Sequence, residues 1–247
     1  HASVLGPILQ AHDLRLVSGW YSGELLTRSV EVEIEAVQGH LALLRDLGAT
    51  VLVFAAVTGA IHGAQQKPVH LRPRFPEERW SEYGKKLTEF ARYTHSQGVQ
   101  IAYHHHMGTV IESAQDVDNL MEHTGPEVGL LLDTGHLTFA GADPVAVAKR
   151  WISRINHVHC KDIRPDVLKD VKNRKTSFLD AVLSGVFTVP GDGCVDYPAV
   201  FSILKAHNYS GWLVVEAEQD PAVAHPLTYA TLGYNNLQRF AQQAELI

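Results

Sequence analysis

Three apolar runs in this 247-residue chain each end in a cluster of potential metal ligands: His104-His105-His106, Asp133-Thr134-Gly135-His136 and His157-Val158-His159-Cys160-Lys161-Asp162. A fourth run, Trp212-Leu213-Val214-Val215, closes on Glu216. Gly129-Leu130-Leu131-Leu132-Asp133 shows no polar alternation, which is how a strand covered on both faces reads. Strands of that kind belong to parallel sheets, and the carboxyl ends of parallel strands share one edge. Residues placed at the ends of successive strands therefore converge, and four weak signals become one site.

Between the runs lie amphipathic stretches. Val30, Ile34, Val37, Leu41 and Leu44 step by 4, 3, 4 and 3, and Tyr83, Leu87, Phe90 and Thr94 by 4, 3 and 4, the spacing of helices with one buried face. Asp143-Pro144 supplies a cap followed by proline at the first helical position, and Gly48, Gly98 and Gly125 stand where helices should stop. The predicted strands are Leu14–Trp20, Thr50–Ala56, Gln100–His106, Gly129–Asp133, Ile155–Lys161, Val186–Pro190 and Trp212–Glu216. A (β/α)8 barrel needs one more. A helix over Val4–His12 feeds the first strand, and the expectation is that a further strand and most of a helix precede His1. An open doubly wound sheet would instead place its site at a topological switch point and would not gather ligands from many strands. The predicted fold is therefore an α/β, (β/α)8 TIM barrel lacking its first strand and helix, in a single domain over residues 1–247.

No apolar stretch approaches the ~20 residues of a membrane span. Two cysteines, Cys160 and Cys194, are too few for a disulfide framework, and no signal segment opens the chain, so a cytoplasmic location is expected. The formal net charge of −6 argues against nucleic acid as a partner, because phosphate contacts need a concentrated basic surface. The one basic run, Lys169 to Lys175, reads as a solvated face, and the proline-rich Lys67–Pro76 as a long loop over the barrel mouth.

Strand parity sorts the clusters. Side chains alternate along a strand, so His104 and His106 face one way and His105 the other. The same rule aligns His157, His159 and Lys161 and turns Cys160 toward the sheet–helix layer. Asp133 ends its strand with His136 one turn on, and Glu216 shares a face with Glu218 but lies nearer the barrel. The ligand set that results is His104, Asp133, His159 and Glu216. Imidazole and carboxylate without thiolate suit Mn²⁺, Co²⁺, Fe²⁺ or Zn²⁺ and leave positions open for substrate oxygens, as a catalytic site requires.

The segments His104-His-His-Met-Gly-Thr109, Leu131-Leu-Asp-Thr-Gly-His136, His157-Val-His-Cys-Lys-Asp162, Phe187-Thr-Val-Pro-Gly-Asp-Gly193 and Gly211-Trp-Leu-Val-Val-Glu-Ala-Glu-Gln-Asp220 closely resemble the myo-inosose-2 dehydratase family of xylose-isomerase-like barrels. The likeness runs from Ser18-Gly-Trp-Tyr-Ser-Gly23 to Tyr234. The aspartate-to-histidine and His-x-Lys-Asp motifs are shared with sugar isomerases, epimerases and dehydroshikimate dehydratases, whereas the triple histidine with Met-Gly-Thr is narrower. Two departures stand out. The family begins with a strand and helix that are missing here, and Phe54-Ala-Ala-Val57 stands where a glutamate is expected. Elsewhere in the superfamily a glutamate also occupies the place of His104.

The resemblance implies dehydration of 2-keto-myo-inositol (scyllo-inosose) to a trihydroxycyclohexane-1,2-dione in inositol catabolism, with Mn²⁺ or Co²⁺ as the metal. A ketone held by a metal has an acidic neighbouring C–H, so a base must take that proton and an acid must assist loss of the β-hydroxyl. Lys161 is a candidate base if its pKa is lowered toward neutrality. His136 and His106 compete for that role and are the natural acids. Trp20, Tyr21 and Arg72 are proposed to line the ring-binding pocket. The expected partner is a small cyclic polyol ketone, with self-association into a homo-oligomer left open. A sugar isomerase or epimerase would use the same metal site and return the proton. A sugar-binding regulatory protein or a metal-dependent endonuclease relative fits less well.

Overall fold

A computed structural model describes residues 1–247. Helix α1 (Ala2–Ala11) leads into β1 (Ser18–Gly23), α2 (Val30–Asp46), β2 (Val51–Ala56), α3 (Trp80–Ser96), β3 (Gln100–His104), α4 (Ala114–His123) and β4 (Val128–Asp133). The second half runs through α5 (Thr134–Ala140), α6 (Pro144–Trp151), β5 (Ile155–Cys160), β6 (Asp162–Ile163), α7 (Pro165–Arg174) and α8 (Phe178–Leu183). It closes with β7 (Phe187–Thr188), α9 (Tyr197–Ala206), β8 (Leu213–Val215) and α10 (Pro226–Gln243).

The predicted helical faces are the ones that bury. Val30, Val37, Leu41 and Leu44 of α2, and Tyr83, Leu87, Phe90 and Thr94 of α3, pack inward. Each large apolar side chain among them contributes on the order of 2 kcal/mol of transfer free energy. Asp143 caps α6 through Val145 N, 2.9 Å from its Oδ1, with Pro144 in the first turn. None of the helices is long and apolar enough to cross a membrane.

Six strands form a curled parallel sheet in the order β1-β2-β3-β4-β5-β8. One face meets the helices. Leu52, Phe54, Ile101, Tyr103, Leu130, Leu132, Val158 and Cys160 join a core cluster of 39 buried residues, so Cys160 packs and does not ligate. The other face is the barrel interior, whose apolar cluster is only Val51, Val53, Ala102 and Leu131. Beyond that thin plug the interior row turns to histidine and aspartate. A register shift opposite Leu130/Leu131 lets Ile155 pack against the helices while His157 and His159 face inward.

Three strand predictions are corrected. The first strand begins at Ser18 and not Leu14, and the third stops at His104. Val186–Pro190 is no barrel strand: β5 pairs directly with β8, Val158 opposite Leu213, and leaves no slot between them. Phe187–Thr188 forms an antiparallel pair with Asp162–Ile163 instead. The Asp162 carboxylate accepts from Ile163 N, Gly191 N and Val195 N at 2.8–2.9 Å, which folds the 190–195 loop back over that pair.

Candidate metal centre

His104 and Asp133 are the last residues of β3 and β4, His159 is the penultimate residue of β5, and Glu216 follows β8. One ligand atom from each of the four lies within 4.8 Å of the others. Asp133 Oδ2 is 3.6 Å from both His104 Nε2 and His159 Nδ1, and His159 Nδ1 is 2.8 Å from Glu216 Oε2. Asp133 Oδ1 accepts from His136 N at 2.8 Å, capping α5 and aiming the other oxygen into the cluster. The Nδ1 of His104 lies 2.6 Å from His105 O, which fixes the proton on Nδ1 and turns the Nε2 lone pair toward Asp133.

The donor set fits a divalent cation. Asp133 Oδ2, His159 Nδ1 and Glu216 Oε2 are buried without a well-oriented hydrogen-bond partner, and they converge. Burial works against charge on His159, but the close carboxylates of Asp133 and Glu216 outweigh it and push its pKa up to about 9. Burial likewise opposes ionisation of Glu216, yet Lys161 and His159 hold it well below the usual carboxylate range. Two carboxylates thus create a field that demands a cation, and in the metal-free protein a proton on His159 answers it.

A second group adjoins the first. Lys161 Nζ donates to Glu218 Oε2 at 2.8 Å and lies 3.2 Å from Glu216 and 3.7 Å from Asp133. His136 Nε2 is 3.5 Å and His106 Nε2 4.0 Å from Glu218, and the two imidazole centroids are 4.0 Å apart. His106 Nδ1 donates to Met107 O at 2.8 Å, so its Nε2 is the free lone pair. Burial lowers the His106 pKa to about 3, and burial with neighbouring positive charge keeps His136 neutral as well. The Lys161 stem runs across Gly135, where a Cβ would sit 2.6 Å from Lys161 Cγ. Only glycine leaves that path open.

A cavity of about 450 Å³ opens over both groups, lined by His104, His159, Glu216, Glu218, His106 and Trp20 among others. Trp20 stands edge-on to His104 and His106, at centroid distances of 5.5 and 5.6 Å.

The structure departs from the sequence reading at three site residues. Tyr21 faces the helix layer, where it meets Phe54 and Phe90 and donates to Glu33 Oε1 at 2.7 Å. Neighbours on a strand cannot share a face, so Trp20 in the cavity excludes Tyr21. Arg72 does not reach the cavity either. Its buried guanidinium binds Asp116 Oδ2 at 2.6 Å, lies 3.3 Å from Glu112 Oε1, and donates to Val110 O at 3.0 Å, which anchors the 67–76 loop to the turn after β3. Lys161 is fully buried, and although burial opposes its charge, Asp133, Glu216 and Glu218 hold its pKa above the ordinary lysine range rather than near neutrality. Two ionisable cavity residues were assigned no role from the sequence alone. Glu218 had a readable signal, two residues beyond Glu216 on the same face, whereas His62, alone in a loop, had none.

The fold agrees with comparisons to known proteins. A family model described as xylose isomerase-like TIM barrel matches residues 4–240, and the chain belongs to that family. Among curated relatives, the rhizopine catabolism protein MocC of Rhizobium meliloti is 51% identical over 243 residues, 98% of this chain and 75% of that protein. An inosose dehydratase of Clostridium tetani is 44% identical over 240 residues, 96% of this chain and 80% of the relative. A crystal structure of IOLI protein with a binding zinc atom superposes with a TM-score of 0.63 at 17% identity, covering 99% of this chain and 80% of that one.

Proposed function

We propose that this chain is a metal-dependent inosose dehydratase, a hydro-lyase that removes water from 2-keto-myo-inositol to give a trihydroxycyclohexane-1,2-dione in myo-inositol catabolism. The carrying observation is that one cavity joins a converging cation site to a neutral imidazole and a carboxylate, in a chain 44% identical to an inosose dehydratase over 96% of its length. Mn²⁺ or Co²⁺ is the metal we assign to His104, Asp133, His159 and Glu216, supported by a donor set free of thiolate. A divalent cation held there supplies Lewis-acid polarisation of the ketone, which makes the neighbouring C–H acidic.

His106 takes the proton. Its ring lines the cavity and its Nε2 lone pair is free, whereas Lys161 and His136 have no surface there. The electron pair left on carbon becomes the C=C bond, the β C–O bond breaks, and the departing hydroxyl takes a proton to leave as water. Glu218 faces the cavity and burial raises its pKa, so in its protonated form it gives the proton that accompanies the hydroxyl, and the proton taken up by His106, 4.0 Å away, restores it. Trp20 supplies a flat wall for the ring. The 51% identity to the rhizopine catabolism protein MocC favours a second reading, a role in rhizopine catabolism.

The test is absorbance of the enolised dicarbonyl formed from scyllo-inosose by metal-stripped protein, with and without Mn²⁺, Co²⁺ or Zn²⁺. Metal-dependent product that has lost one water is expected. An isomeric ketone of unchanged mass would transfer the reading to a sugar isomerase or epimerase.

A further inference from the structure

Building on the dehydratase reading, we propose that His62 is a specificity-determining residue that hydrogen-bonds a hydroxyl of the cyclic polyol. It lines the same cavity as the cation site, from the loop after β2. Trp20, His62 and Phe178 pack around His106, with ring centroids 5.6, 5.2 and 5.2 Å from it. This wall offers a hydroxylated ring very little polarity. Trp20 Nε1 is already donated to Ser22 Oγ at 2.9 Å, Phe178 is apolar, and Val53 is the β2 residue facing the cavity. His62 is half-buried, its Nδ1 is buried without a partner, and no protein group bonds either ring nitrogen.

An imidazole left so is costly unless a ligand or water answers it. A hydroxyl both donates and accepts, so it satisfies either tautomer. The loop is held for the purpose. Ile61 N donates to Gly108 O at 2.8 Å, and a Cβ on Gly108, whose φ is +76°, would lie 2.9 Å from His62 N. The turn carrying His106 thus fixes the backbone that presents His62, and the proton-accepting ring and the hydroxyl-binding ring are positioned together.

The experiment compares His62→Phe and His62→Gln with wild type in three readouts: KM and kcat for scyllo-inosose, affinity of the metal-loaded protein for unreactive myo-inositol by calorimetry, and bound metal by elemental analysis. His62→Phe should raise KM and weaken myo-inositol binding by roughly ten- to hundredfold, with the effect mainly on KM and with metal content unchanged. His62→Gln should recover much of the loss. If His62→Phe does not fold, His62→Ala is read in its place. Unchanged KM and polyol affinity in a folded variant, or a Gln variant no better than Phe, overturns the proposal. Failure of the dehydratase reading looks different: wild type forms no product, while myo-inositol binding still weakens in His62→Phe, and His62 stands as a polyol contact.

Discussion

The two ends of the barrel strands both carry polar side chains around a cavity, about 450 Å³ at the carboxyl ends and about 320 Å³ at the amino ends. They differ in what those side chains have left to offer. At the amino end Arg154 spends its donors on the carbonyls of Val128, Met121, Thr124 and Gly125 and on Thr124 Oγ1, at 2.7–3.4 Å. Orphaned oxygens there sit singly on side chains whose other atom is engaged: Glu127 with Arg92, Asn156 with Ile101 O. At the carboxyl end three orphaned ligand atoms point at one another. Polarity marks both ends, but convergence of unsatisfied atoms sets the carboxyl end apart as the candidate site.

That contrast breaks if substitutions at the two ends act alike. Glu216→Gln or Asp133→Asn should cost more than about a hundredfold in kcat/KM, since loss of a mere outer-shell partner of a metal ligand costs ten- to hundredfold. Metal content, measured alongside, should fall with it, and retained metal with full activity would refute the ligand assignment. Arg154→Met should do the reverse. Stripping the guanidinium from its carbonyls should cost about 2 kcal/mol of unfolding free energy in urea titrations and leave bound metal unchanged.

The pH dependence of metal-free stability sharpens the same comparison. Burial keeps His104, His105, His106, His136 and His157 neutral in the fold, with pKa values near 4 for His105 and His157 and near 3 for His106. Unfolding frees them to bind protons from about pH 6.5 downward, so stability should fall as pH drops from 6.5 toward 4. His159 has the opposite sign. With a folded pKa near 9, its contribution is complete below about pH 6.5 and lost as pH rises toward 9. A cation displaces that proton, so metal affinity measured by competition with a chelator should rise over the same window. Flat profiles on both arms would count against the buried cluster. The smallest effect is expected at Tyr21→Phe, which removes the hydrogen bond to Glu33: about 1 kcal/mol of stability and no change in KM.

Much of this molecule is written locally. The 4-3-4-3 spacing of α2 and the 4-3-4 spacing of α3 fixed their buried faces, and the unbroken apolar run of β4 marked a covered strand, because helix pitch and strand pleat are backbone properties. Parity alone separated His104 and His106 from His105, and would have separated Trp20 from Tyr21. Beyond the backbone period the sequence was silent. Which strand β5 pairs with, and hence the exclusion of Phe187–Thr188 from the sheet, was decided by the curl that brings β8 to Val158. That Arg72 is consumed by Asp116 and Glu112, that Glu218 rather than solvent receives Lys161, and that His62 reaches His106 all depend on partners 40 to 57 residues away in sequence. The chain determined which residues are candidates for the chemistry and which way most of them point. Only the tertiary structure determined which of their atoms are left unsatisfied, because satisfaction is a property of the packed neighbourhood and not of the residue.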